Sequence, residues 1–263
     1  MAVERNSQLI DGLKSDFRQL YSPAHAFADA VGMLKMLPGI RGIWPGSAMG
    51  ADGQLLDETG NGLHMTRSGL VSFRKTGLAP HIHYAGAQYH TRADESALDI
   101  TGTEIYTNIK GLTVGAWVRF DNTASALEMI LSKQSAAAGQ RSWNINRLSN
   151  GISRFQLSTD GTAVVNVDSS SVLLASTWYF IAGRFTPSTE MTLWINDTKT
   201  TNTTSIPASI FSSTSNFEIA SYSGGINFAT ADICLSFMCA TAVPDDDLNT
   251  FFQFTAPLFG VTL

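Results

Sequence analysis

Leu112-Thr113-Val114-Gly115-Ala116-Trp117-Val118-Arg119-Phe120 alternates along its whole length. Successive side chains of a strand point to opposite faces, so Leu112, Val114, Ala116, Val118 and Phe120 fall on one face. The pattern predicts a strand with that face turned inward. The period recurs downstream. Phe155-Gln156-Leu157-Ser158 runs into Thr159-Asp160-Gly161-Thr162, and Ala163-Val164-Val165-Asn166-Val167 returns. An Asp-Gly pair suits the positive φ angles of a tight hairpin turn. Trp178 to Phe185, Met191 to Ile195, Phe217 to Ala220 and Ile233 to Phe237 add further short strands between turn residues. Such a series predicts an all-β, antiparallel two-sheet jelly-roll sandwich over residues 39–263. Pro244-Asp245-Asp246-Asp247-Leu248 opens a short helix, with acids in the first turn where the helix dipole favours them. The apolar tail from Phe254 to Phe259 is expected to dock against the domain.

Residues 1–38 have a different period. Leu9, Ile10, Leu13, Phe17, Leu20 and Tyr21 recur at spacings of three and four, the stripe of an amphipathic helix. Ser22-Pro23 interrupts it, with Ser22 suited to cap a second helix and Pro23 to its first position. Phe27, Ala30, Val31, Leu34 and Leu37 then form a second stripe, which Pro38-Gly39 ends. An N-terminal α-helical hairpin is the expected result. Helices this short are marginal in water, so the face made by Leu9, Leu13, Phe17, Leu20, Phe27, Val31 and Leu34 needs a partner. That partner is either a larger assembly, a homo-oligomer included, or the chain's own sandwich.

Composition narrows the function. The 263 residues are 44% hydrophobic, enough to bury a real core. Seventeen basic against twenty-two acidic residues give a net charge of −5, with no Lys/Arg cluster, which argues against a nucleic-acid partner. No window approaches ~18 uninterrupted apolar residues, so no membrane-spanning helix is expected. No apolar run follows a basic start, so synthesis in a cytoplasm without a secretory signal is expected, with non-signal export as the route outside. The acceptor patterns at Asn196 and Asn202 then read as chance matches. Cys234 and Cys239 lie five apart in a strand. That is on the order of 16 Å, with opposite-facing side chains, where a disulfide needs Cα atoms about 4.4–6.8 Å apart.

Several segments resemble the laminin-G-like, concanavalin A-like jelly roll. Leu56-Asp57-Glu58-Thr59-Gly60-Asn61-Gly62-Leu63-His64 is similar to an early Asp-x-x-Gly-Asn-Gly turn of that family. Ala87-Gln88-Tyr89-His90 followed by Ser96 to Ile100, and Gly111 to Phe120, resemble its early strands. Trp178 to Ala182 with Leu193-Trp194-Ile195-Asn196 resemble its hairpin, and Val243 to Phe252 its closing helix. The resemblance covers residues 41–255 and implies two stacked sheets of twelve to fourteen strands. At Asn196-Asp197 the family's usual Asn-Gly is missing, so a longer turn is expected there. The helical hairpin followed by this domain also resembles proteins encoded in tailed-phage and prophage genomes.

The chemistry sought is mostly missing. Glucanases on this sandwich place two carboxylates about 5–5.5 Å apart, spaced so that they share a strand face. Asp57-Glu58, Asp94-Glu95 and Asp245 to Asp247 do not fit that spacing. Neither a Gly-x-Ser-x-Gly elbow nor a phosphate-binding loop occurs. No catalytic residue is therefore assigned. His81-Ile82-His83 would put two rings on one face, with His90 near in sequence, but no carboxylate lies at that strand spacing. No cofactor is required by the sequence. Calcium is the ligand to consider, with Asp57 and Asn61 as candidate oxygens, although the same residues suit a turn held by side-chain-to-backbone bonds. Glycan contacts are assigned to Trp143, Arg141 and Tyr222, near expected loop tips, while Trp117, Trp178 and Trp194 read as packing. The expected function is a non-enzymatic structural or interaction protein on a virion surface, as a capsid decoration or tail-associated component anchored by its N-terminal helices. A carbohydrate-binding, lectin-like adhesin is the alternative.

Overall fold

The computed structural model describes residues 23–47, 49–50, 52–76, 79–105 and 108–263. Helix α1 (Pro23–Met36) is followed by strands β1 (Ile40–Trp44), β2 (Thr66–Ser68), β3 (Ser72–Thr76), β4 (Ala79–Ala85) and β5 (Tyr89–Arg92). Next come β6 (Leu112–Phe120), β7 (Glu128–Gln134), β8 (Arg141–Arg147), β9 (Ile152–Ser158) and β10 (Val164–Val172). The chain closes with β11 (Trp178–Thr186), β12 (Glu190–Ile195), β13 (Thr198–Asn202), β14 (Phe217–Ile219), β15 (Thr230–Cys239) and helix α2 (Asp245–Thr255). Among the described residues no helix is long and apolar enough to cross a membrane.

The strands form two antiparallel sheets. One runs β13-β12-β11-β6-β15-β4-β3, with β1 also on β15; the other runs β10-β9-β8-β7-β14-β5-β2. Their facing side chains make the main core. Leu112, Val114, Ala116, Val118 and Phe120 all lie in it, as the alternation predicts. The intervening Trp117 faces the other way, into a second core on the outer side of the β6 sheet. There α1, α2 and the turn Ala256–Phe259 cover the sheet. The Trp117 indole lies 4.2 Å from the Phe259 ring, and its N–H donates to the Thr255 hydroxyl at 3.0 Å. The apolar tail is therefore docked, and Trp117, Trp178 and Trp194 are packing residues.

Four details differ from expectation. Among the described residues there are fifteen strands, where the resemblance implies twelve to fourteen. The β12–β13 connection is short: Ile195 pairs with Thr198, and Asn196 takes φ +56°, a left-handed conformation Asn tolerates in place of Gly. Cys234 and Cys239 are free and buried, as expected, but they enter the same outer core. A bulge between Cys234 and Phe237, with Leu235 at φ +48°, adds the residue that turns opposite faces into one. The second helical stretch forms, but Phe27 and Leu34 are buried against the chain's own core with Val31 half-buried beside them. That stripe is thus covered within the molecule and is not a free docking face, so residues 23–38 are part of the same packed unit as the sandwich. Leu9, Leu13, Phe17 and Leu20, with the first half of the hairpin, lie outside the described residues.

Candidate functional site

The outer face of the seven-stranded sheet is polar. Thr66, Thr91, Glu218, Ser132, Asn144, Gln156 and Asn166 are successive cross-strand partners, so one polar row runs across all seven strands. The alternation that buries Phe217, Phe155 and Leu157 on one side dictates this row on the other. Its amides are interlinked. Asn144 donates to the side-chain oxygens of Gln134 (3.0 Å) and Gln156 (3.1 Å), and Asn146 donates to Asn144 at 2.5 Å. Interlocked buried amides hold one another in a single orientation.

At one end of this face, a pocket of about 470 Å³ opens between the β7–β8 hairpin, the 213–216 segment and the 221–225 loop. Gln134, Gln140, Asn216, Glu218, Ser223 and Gly224 are among its lining residues. Three sets of bonds fix its walls. The Gln140 side-chain oxygen accepts the backbone N–H of Thr214 at 3.0 Å and the Thr214 hydroxyl at 3.1 Å. Ser223 Oγ lies 3.1 Å from Ser135 Oγ and accepts the N–H of Ala136 at 3.1 Å. Below the pocket, buried Lys133 donates to the carbonyls of Ser213 (2.8 Å) and Ser215 (3.1 Å), and pairs with Asp94 (2.6 Å) and Asp99 (3.1 Å).

Glu218 supplies the site's charge. Its Oε1 accepts the N–H of Gly224 at 2.7 Å and its Oε2 the hydroxyl of Ser221 at 2.5 Å. Ser223 and Gly224 reach that position with φ +55° and +76°, which the Ser-Gly-Gly sequence permits. Burial pushes the Glu218 carboxyl above its usual range, partly offset by these two bonds.

The residues assigned from sequence are placed differently. Trp143 is buried in the inter-sheet core, 5.8 Å from the Phe217 ring, and cannot be a sugar platform. Its neighbour Asn144 takes the outer face instead, one position away. Arg141 is exposed beside Gln140, with its guanidinium donating to the Thr162 carbonyl at 3.0 Å. Tyr222 lies half-buried in the loop whose Ser223 and Gly224 line the pocket. Asp57 is buried and its carboxylate accepts the N–H groups of Ile43 (3.1 Å), Thr59 (3.0 Å) and Leu63 (3.2 Å), together with the Thr59 hydroxyl. Asn61 is exposed and donates to the Arg41 carbonyl at 2.8 Å. The Asp57 oxygens are thus engaged in side-chain-to-backbone bonds of the kind that hold such a turn. Sequence reading missed Gln134, Gln140, Asn216 and Glu218. Gln156 and Glu218 alternate with Phe155, Leu157, Phe217 and Ile219, and that polar half of the period was the available signal.

Residues 92–235, more than half of the chain, match the family described as the concanavalin A-like lectin/glucanases superfamily. No curated protein matches. Among solved structures, the binding domain of Paraclostridial Mosquitocidal Protein 1 is similar at TM-score 0.66 and 11% identity, covering 88% of this chain and 56% of that one. The botulinum neurotoxin serotype D ligand-binding domain, in complex with N-acetylneuraminic acid, is similar at TM-score 0.61 and 10% identity, covering 89% and 56%. The binding domain of botulinum neurotoxin DC, in complex with rat synaptotagmin II, gives TM-score 0.58 and 14% identity, covering 82% and 51%. The chain thus spans about half the length of these structures, and at such identities the likeness is one of fold.

Proposed function

Because the chain belongs to the concanavalin A-like lectin/glucanases superfamily, we propose that it is a non-enzymatic binding module that takes a glycan in the pocket above Glu218. The convergence of Gln134, Gln140, Asn216 and Ser223 on one rigidly held hollow carries this reading. Sugars present rows of hydroxyls that both donate and accept, and side-chain amides and hydroxyls can answer both roles. A few fixed polar groups in a concave site set orientation and specificity. Glu218 is the one carboxylate among the described residues lining the pocket, whereas glycoside hydrolysis by the usual route needs a pair. A similar structure in complex with N-acetylneuraminic acid supports a saccharide as the ligand class.

A glycan array probed with the full chain tests this, followed by calorimetry on the best-bound oligosaccharide. Asn216→Ala should weaken binding tenfold or more with the fold unchanged. Absence of saturable binding across the array would overturn the proposal. We extend the proposal, on the sequence resemblance to phage-encoded proteins, to display of the module on a virion surface. Co-sedimentation of the chain with intact particles tests that extension, and its absence from purified particles would contradict it.

A further inference from the structure

The outer face of the other sheet carries a separate cluster that the pocket does not use. Ser72, His83, Asp232, Arg119 and Trp178 are successive cross-strand partners on β3, β4, β15, β6 and β11. Asp121 directly follows β6. His83 Nδ1 lies 3.0 Å from Asp232 Oδ1. An ionised carboxylate has no hydrogen to give, so Nδ1 carries the proton and donates it. The second oxygen of Asp232 accepts from Arg119, through Nε at 2.9 Å and also through the terminal nitrogen. Arg119 thus balances the Asp232 charge, and Asp232 fixes the ring orientation and tautomer of His83.

In the neutral ring that leaves the Nε2 lone pair of His83, which faces Asp121 Oδ2 at 3.7 Å. The separation is too long for a hydrogen bond, and in this tautomer neither atom has a hydrogen to share. Two electron-pair donors face each other across a gap. A second unsatisfied nitrogen adjoins them. His81 is fully buried, its Nδ1 lies 3.1 Å from the Ala79 carbonyl, and its Nε2 has no hydrogen-bond partner, 3.5 Å from Asp232 Oδ1.

We propose that His83 Nε2 and Asp121 ligate a divalent transition-metal ion of the Zn²⁺ type, with Asp232 as the positioning residue. One ligand atom from each of His83, Asp121 and Asp232 lies within 4.8 Å of the others. With Zn–N and Zn–O bonds of about 2.0–2.2 Å, a tetrahedral ion separates two ligand atoms by about 3.3–3.5 Å. The Asp121 side chain is 35% exposed and can close the remaining few tenths of an ångström. Aspartate to histidine Nδ1–H, with Nε2 turned to the ion, is the carboxylate–histidine–metal arrangement that orients a ligand and raises its basicity. Imidazole with carboxylate selects a borderline ion over the hard, all-oxygen-seeking Ca²⁺. Two protein ligands leave water in the remaining positions, so the ion is exchangeable.

Titration of the full chain with ZnCl₂ by calorimetry, and with CoCl₂ by visible absorption, tests the site. One equivalent should bind, and Asp121→Asn should weaken binding at least tenfold. Asp232→Asn should weaken it 10- to 100-fold. Since Asp232 is buried and its substitution also perturbs the fold, ¹⁵N spectra of the His83 ring in the wild-type chain provide the independent readout. They should show the Nε2 resonance, and not Nδ1, shifted on addition of Zn²⁺. Lack of saturable binding at millimolar metal, unchanged affinity in Asp121→Asn, or a His83 Nε2 resonance unmoved by Zn²⁺ would each overturn the assignment.

Discussion

The side-chain oxygen of Gln140 holds Thr214 twice, through its backbone N–H at 3.0 Å and its hydroxyl at 3.1 Å. One residue thereby ties the β7–β8 hairpin to a segment 74 positions later. Two walls of the pocket are one rigid unit because of it. Gln140→Ala should therefore reduce glycan affinity tenfold or more while changing stability by about 1 kcal/mol, the worth of ordinary hydrogen bonds near a surface. Calorimetry and urea unfolding on the same preparation read the two effects. Equal loss in both would assign Gln140 a purely structural role.

Trp143 should behave in the opposite way. It fills the inter-sheet core, so Trp143→Ala is expected to cost about 3–5 kcal/mol. Trp143→Phe keeps most of the volume and should leave glycan affinity within twofold. A large affinity loss in the phenylalanine variant with stability retained would restore Trp143 as a contact residue.

Leu34 tests the helix. Its side chain is fully buried in the outer core, where the helix packs on β1 and α2. Leu34→Ala should lower stability by about 2–5 kcal/mol in urea denaturation. A free arm would lose nothing, so an unchanged midpoint would contradict the packed arrangement.

His90 sets a pH dependence. Its Nδ1 lies 2.8 Å from the Tyr84 hydroxyl and its Nε2 3.0 Å from the Gly53 carbonyl. A carbonyl only accepts, so Nε2 carries the hydrogen and Nδ1 accepts from Tyr84. The neutral ring is fully bonded. Burial holds its pKa down at about 4, below the ordinary histidine value of about 6.5. Between those values the unfolded chain binds the proton and the folded chain does not, so stability falls as pH falls from about 6.5 to about 4. The loss is on the order of 3 kcal/mol. Urea unfolding at pH 7.5 and 4.5 measures it, and His90→Gln should remove this share of the slope. An identical slope in the variant would exclude His90 as its source.

The period of the strands made the sandwich readable, because alternation reports which residues face a core whatever strand lies opposite. The row from Leu112 to Phe120 needed nothing more. Register needed more: the bulge at Leu235 moves Cys239 onto the face of Cys234, and no residue in Ile233 to Cys239 marks it by type. The candidate site was legible only in part. An aromatic at an expected loop tip drew the assignment to Trp143, whereas the outer face of β8 belongs to Asn144. Gln140, Asn216 and Glu218 meet only through the 7-stranded pairing order, which joins β14 to β7 and so brings distant segments to one end of the sheet. The same applies to His83 and Asp232, partners across 149 positions.

The most direct test of the glycan pocket is amide chemical-shift mapping of the isotopically labelled chain, titrated with sialylated and neutral oligosaccharides. Shifts should concentrate at residues 134–140, 214–216 and 223–224, led by the Gly224 amide on Glu218, with the β4 and β15 face silent. Saturable shifts centred on any other face, or none at millimolar sugar, would contradict the account.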